Sequence, residues 1–116
     1  MTGIAHRLRE VSMEGLWYAH FKAGPVQGDG MAVLRQGEIL GGDPLHTYSG
    51  SYQSDGSLLY ANVRVSPYTA GPAPTDIERP IDFFLQGSIE GKTANIAGHA
   101  DNKPELAVTV ELHRAA

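Results

Sequence analysis

The stretch Leu106-Ala107-Val108-Thr109-Val110-Glu111-Leu112-His113 decides the fold class. Leu106, Val108, Val110 and Leu112 alternate with smaller or polar residues, and a period of two puts one set on a buried face and the other on a wetter one. The same pattern recurs upstream. Trp17, Ala19 and Phe21 interleave with Leu16, Tyr18, His20 and Lys22. Ile81, Phe83, Leu85 and Ile89 interleave with Asp82, Phe84, Gln86 and Glu90. Strands are expected over 14–23, 29–36, 38–41, 46–53, 57–66, 81–90, 92–101 and 105–114. The chain therefore reads as all-β: a small closed antiparallel up-and-down barrel of about eight strands, because closure removes exposed strand edges.

Between the strands, 14 Gly and 7 Pro punctuate the chain. Asp29-Gly30, Asp55-Gly56 and Glu90-Gly91 read as tight connections, with Gly taking the positive φ such turns need. Gly28-Asp29-Gly30 lacks the following helix that a phosphate loop requires, so it too reads as a hairpin turn. Asn102-Lys103-Pro104 is expected to break the chain before the last strand. Asp43, between Gly41-Gly42 and Pro44, reads as a turn residue whose carboxylate accepts backbone hydrogen bonds. Residues 1–12 place Ile4, Leu8 and Val11 on one helical face, with Thr2 as an N-cap. They read as an N-terminal extension, helical or disordered, leaving 13–116 as the barrel domain. The connection from Pro67 to Pro80 exceeds a tight hairpin and is expected to move more than the strands.

At 116 residues, the chain suits one small domain. Hydrophobic residues make up 41% and charged residues 19%, an ordinary globular balance. The absence of cysteine excludes disulfides, thiolate metal sites and thiol nucleophiles. No apolar run approaches the roughly 18 residues that span a bilayer. No secretory leader is visible, so a cytoplasmic location without membrane attachment is expected. A net charge of −4 without a basic stripe argues against direct nucleic-acid binding.

No catalytic constellation stands out. The histidines His6, His20, His46, His99 and His113 are scattered. Closure would bring the strands of His20 and His113 together, but with only Glu111 nearby they read as surface residues rather than a zinc site. Ser49, Ser51 and Ser57 have no matched His and acid. No metal or other cofactor is expected, and no enzymatic activity. Inward positions carry many small residues (Ala19, Gly50, Ala61, Gly87, Ala94 and Gly98), which permit sharp curvature or leave a cavity.

Gly15-Leu16-Trp17 at the start of the first strand resembles the opening of lipocalin-like barrels, where the Trp plugs one end. The likeness extends further. Glu14-Gly15-Leu16-Trp17-Tyr18 is followed by Gly28-Asp29-Gly30-Met31-Ala32-Val33, Gly41-Gly42-Asp43, Tyr48-Ser49-Gly50 and Gln53-Ser54-Asp55-Gly56. Over roughly residues 13–65, this resembles the GrlR-type negative regulators of type III secretion genes. The resemblance implies a lipocalin-like barrel that forms a homodimer. It also implies an acidic surface turn that contacts a transcriptional regulator. The matching turn here is Ser54-Asp55-Gly56-Ser57, in which Asp55 alone carries a carboxylate.

Two functions follow as expectations. The first is a non-enzymatic regulatory protein acting by protein–protein contact, with Asp55 and the outward groups Leu16, Tyr18, Leu58, Tyr60 and Phe84 as contact residues. The alternative is a carrier that binds a small apolar ligand inside the barrel. An interior of some 300 Å³ or more would favour the carrier.

Overall fold

The computed structural model describes residues 12–67 and 79–116. The expectations for residues 1–11 and for most of the connection from Pro67 to Pro80 lie outside these. The described residues form eight strands: β1 (Gly15–Ala23), β2 (Val26–Arg35), β3 (Glu38–Gly42), β4 (His46–Asp55), β5 (Leu58–Pro67), β6 (Ile81–Glu90), β7 (Thr93–Ala100) and β8 (Lys103–Arg114). Each pairs antiparallel with its neighbour in sequence, and β8 returns to β1 to close the ring. The fold is thus the expected up-and-down barrel, and closure gives every strand a partner on both sides.

Side-chain parity follows the alternation in the sequence. Trp17, Ala19 and Phe21 point inward from β1, and Leu106, Val108, Val110 and Leu112 do so from β8. Phe83 is buried at 6% exposure while its neighbour Phe84 is exposed at 37%, as a regular strand requires of adjacent residues. Small inward residues serve both of the anticipated ends. A β-carbon on Gly87 would collide with the backbone of Asn95, and one on Gly98 with that of Phe84, so these glycines let neighbouring strands coil tightly. Ala19, Ala32 and Ala61 instead line an interior space.

Two turn expectations are corrected. Asp29-Gly30 is not a turn; both residues lie within β2, and the β1–β2 connection falls at Gly24-Pro25, with Gly24 at φ 62°. Gly30 sits in the strand because the Tyr48 hydroxyl occupies the space its side chain would take, 2.7 Å from an added β-carbon. The Asn102-Lys103-Pro104 break is shorter than expected. The turn is Asp101-Asn102, and Pro104 follows the first residue of β8, where the register against β7 shifts and a missing N–H is tolerated. Asp55-Gly56 and Glu90-Gly91 are turns as expected, with Gly56 at φ 61° and Gly91 at φ 62°.

The two ends of the barrel differ. At the end carrying the β2–β3, β4–β5 and β6–β7 turns, Trp17, Met13 and Leu59 are the largest fully buried side chains. The Trp17 indole N–H donates to the Met13 carbonyl at 2.9 Å. The Arg114 guanidinium lies 4.5 Å over the Trp17 ring and donates to the carbonyls of Ser12 and Glu14. The plug expected of Trp17 is therefore in place.

Candidate functional site

Toward the opposite end, inward-facing side chains stay only partly buried. Phe21, Ala23, Val63, Val65, Ile81, Leu106 and Val110 pack against the core without being sealed by it. They surround a cavity of about 350 Å³ whose deeper wall includes Leu34, Ile39, Leu59 and Leu112. The volume exceeds the lower bound of about 300 Å³ for small-molecule sites. An eight-stranded barrel is just wide enough for such a space when some inward residues are small.

One polar cluster borders this apolar space, and the β3–β4 turn builds it. Asp43 Oδ1 accepts from the backbone N–H of Leu45 at 2.8 Å and of His46 at 2.7 Å. This is the turn role expected of Asp43. The same carboxylate has further partners. The Tyr48 hydroxyl donates to Oδ2, and His46 Nδ1 lies 3.1 Å from Oδ1 and 3.3 Å from Oδ2. The cluster is mostly buried: side-chain exposure is 6% for Asp43 and 12% for His46. Burial, followed by the Asp43 carboxylate, holds the Tyr48 hydroxyl far above the ordinary tyrosine range. His46 Nε2 is buried and has no hydrogen-bond partner among the described residues.

Sequence reading missed this cluster because it treated His46 as one of five scattered histidines. A signal was present. His46 and Tyr48 are two apart on one strand and share a face, and Asp43 stands at the turn that precedes them.

The anticipated contact residues lie on separate surfaces. Asp55 ends β4 at the Trp17 end. Leu16 and Tyr18 face outward on β1, whereas Leu58, Tyr60 and Phe84 lie on β5 and β6, across the ring. Tyr60 and Phe84 border a shallow outer hollow with Asn62 and Gln53. Leu16 and Tyr18 join three residues that sequence reading did not single out. Leu16 pairs with Val33, which pairs with Leu40, and Tyr18 pairs with Met31. Leu40 is the most exposed of these, at 68%.

Polar contacts flank this outer patch. The Tyr18 hydroxyl donates to Asp29 Oδ1 at 2.5 Å, and His20 Nδ1 lies 2.6 Å from the same oxygen. The Tyr18 bond, then the His20 bond, lowers the Asp29 carboxyl below its usual range. The His113 ring lies against Tyr18, with centroids 6.2 Å apart. His20 and His113, the pair weighed as a zinc site, are thus each engaged with other side chains. No helix among the described residues is long and apolar enough to cross a membrane. Compared with models of known protein families and with curated proteins, the chain matches none.

Proposed function

We propose that this protein is a non-enzymatic binding barrel that takes a small, mainly apolar ligand into its interior. The observation that carries the reading is the cavity of about 350 Å³, lined largely by aliphatic and aromatic side chains and flanked by half-buried apolar groups at one end. Removing an apolar ligand from water into such a space is favourable in proportion to the area buried. A fluorescent naphthylamine tests the reading: saturable one-to-one binding by the intact protein is expected. Val63→Trp should fill the interior and abolish that binding while the β-sheet circular dichroism is kept. Emission that rises without saturating, or that Val63→Trp leaves unchanged, would remove the ligand from the barrel.

A second reading is contact with another protein, as the resemblance to GrlR-type regulators implies. The outer apolar row Leu16–Val33–Leu40 beside Tyr18–Met31 favours it, because contiguous apolar surface of this kind marks contact sites. The occupant that fits this reading is a second copy of the chain, since two-fold dimers are the commonest closed assembly. Light scattering should then give a dimer mass that Leu40→Asp reduces to that of a monomer. A wild-type monomer mass at tens of micromolar would end this reading and leave the first intact.

A further inference from the structure

Asp43 and Lys103 bring opposite charges to the cavity wall, and they differ in how they are engaged. The Asp43 carboxylate is taken up by two backbone N–H groups, the Tyr48 hydroxyl and His46 Nδ1. Among the described residues no carboxylate forms an ion pair with Lys103. The place of Lys103 follows from a break in strand register. On β8, Leu106, Val108, Val110 and Leu112 face inward, so an unbroken alternation would turn residue 103 outward. The pairing with β7 shifts instead: His99 lies opposite Ala107, but Ala100 lies opposite Lys103. Ala100 is a core residue at 0% exposure, and residues directly opposed on antiparallel strands share a face. Bulges re-aim side chains in this way. Lys103 thus sits on the inner side of the rim, at the end where Phe21, Val65 and Leu106 stay only partly buried, and is itself exposed. Asp43, at the β3–β4 turn, stands half the ring away from the β7–β8 seam.

We infer that the ligand is an anionic amphiphile, with a single apolar tail in the cavity and a carboxylate head against Lys103 at the rim. This rests on the reading of the barrel as a ligand-binding protein and adds the chemical class and orientation of the ligand. The cavity runs from Val26 and Lys103 at the rim to Ile39 and Leu59 toward the closed end, inside a barrel just wide enough for one small ligand. Its volume of about 350 Å³ suits a chain of about ten carbons at roughly 30 Å³ each, the liquid share of one water. The tail leaves water, which is favourable, while the head stays at the exposed rim and avoids the cost of burying a charge. Lys103 offers a compact point charge on a flexible stem, which can follow the head as the tail settles. One ammonium balances one negative charge. A carboxylate carries that charge, whereas a phosphate monoester approaches two. A single charged group at the mouth of an apolar site is the kind of feature that fixes ligand orientation.

Displacement of the fluorescent naphthylamine from the intact protein at neutral pH tests this with two probes of equal chain length, decanoate and decan-1-ol. Decanoate affinity should fall about two- to fivefold in Lys103→Met, the worth of one solvent-accessible ion pair, and about tenfold in Lys103→Glu. Decanol should bind alike to all three proteins. Lys103→Arg keeps the charge and should bind decanoate as the wild-type protein does. Added salt should weaken decanoate binding to the wild-type protein but not decanol binding. Decanoate affinity that is unchanged in Lys103→Met and Lys103→Glu, or that falls in step with that of decanol, would overturn the role of Lys103 and leave the ligand-binding reading standing. Displacement by neither probe while the naphthylamine itself saturates would do the same. No saturable naphthylamine binding would overturn both. Lys103 is exposed, so its substitution removes nothing from the core, and the wild-type salt comparison stands by itself if a variant fails to fold.

Discussion

The two ends of this barrel are built from the same alternating strands, yet one is a core and the other a container. At one end, Trp17 is fully buried at 0% exposure, and Met13 and Leu59 are nearly so. At the other, Phe21, Val63, Val65 and Val110 face inward and remain only partly buried. The difference lies in what fills the middle. The closed end has one large aromatic side chain, tied to Met13 by its indole N–H and covered by Arg114. Around the cavity, inward positions on β1, β2 and β5 hold the small residues Ala19, Ala32 and Ala61. Stability and binding are therefore segregated along the barrel axis, and substitutions should separate them.

The sharpest break in that comparison is Trp17→Ala. It should cost about 3–5 kcal/mol, as for large core aromatics. An unchanged melting temperature would mean that the Trp17 end does not anchor the fold. A second test contrasts two aliphatic truncations. Ile89→Ala, at the closed end and outside the cavity wall, should cost about 2–5 kcal/mol, while Val65→Ala, beside the cavity, should cost about 1 kcal/mol or less. Equal losses in thermal denaturation would contradict the division into core and container.

The smallest effect is in pH dependence, and it has a different sign at each extreme. Tyr48, beside the cavity, stays protonated in the folded state because burial and then Asp43 disfavour its ionised form. The unfolded chain loses that proton near pH 10, so stability should fall as pH rises above about 10. Tyr48→Phe should flatten this alkaline decline. On the outer wall, Asp29 is lowered by Tyr18 and then His20, and Asp82 by its paired bonds from Arg64. Their contribution is complete above about pH 4 and is lost as pH falls through the lowered values. Because these groups are exposed, the acid effect should be slight and should shrink further with salt.

Strand order and facing were legible because period-two alternation is a local property. Leu106 to Leu112 read correctly with no knowledge of their neighbours, and so did the opposed facing of Phe83 and Phe84. The start of β2 did not. Asp29-Gly30 has the composition of a turn, but whether Gly30 turns depends on Tyr48, a residue on β4 that crosses above it. A cross-strand requirement for space overrode the local preference. The site divides the same way. The backbone role of Asp43 was visible from its flanking Gly and Pro. Its second role, orienting His46 and Tyr48 against an apolar cavity, depends on the curvature of the closed ring, which fixes how much interior is left empty.

That ring also orders the events of folding. Seven of its eight seams join strands that follow one another in sequence, and each can form as a hairpin around a short local connection or, between β5 and β6, a longer one. The eighth seam brings Ala19 to Leu112 and Phe21 to Val110 across almost the whole described chain. Loop-closure entropy makes that pairing the costliest to establish. It is expected to form last, onto a sheet already curled by its hairpins. Trp17 and Arg114, partners at the end of this seam, thus act as its latch. Weakening the latch should leave early hairpin formation untouched and speed unfolding, so that the barrel opens first along the line where β1 meets β8.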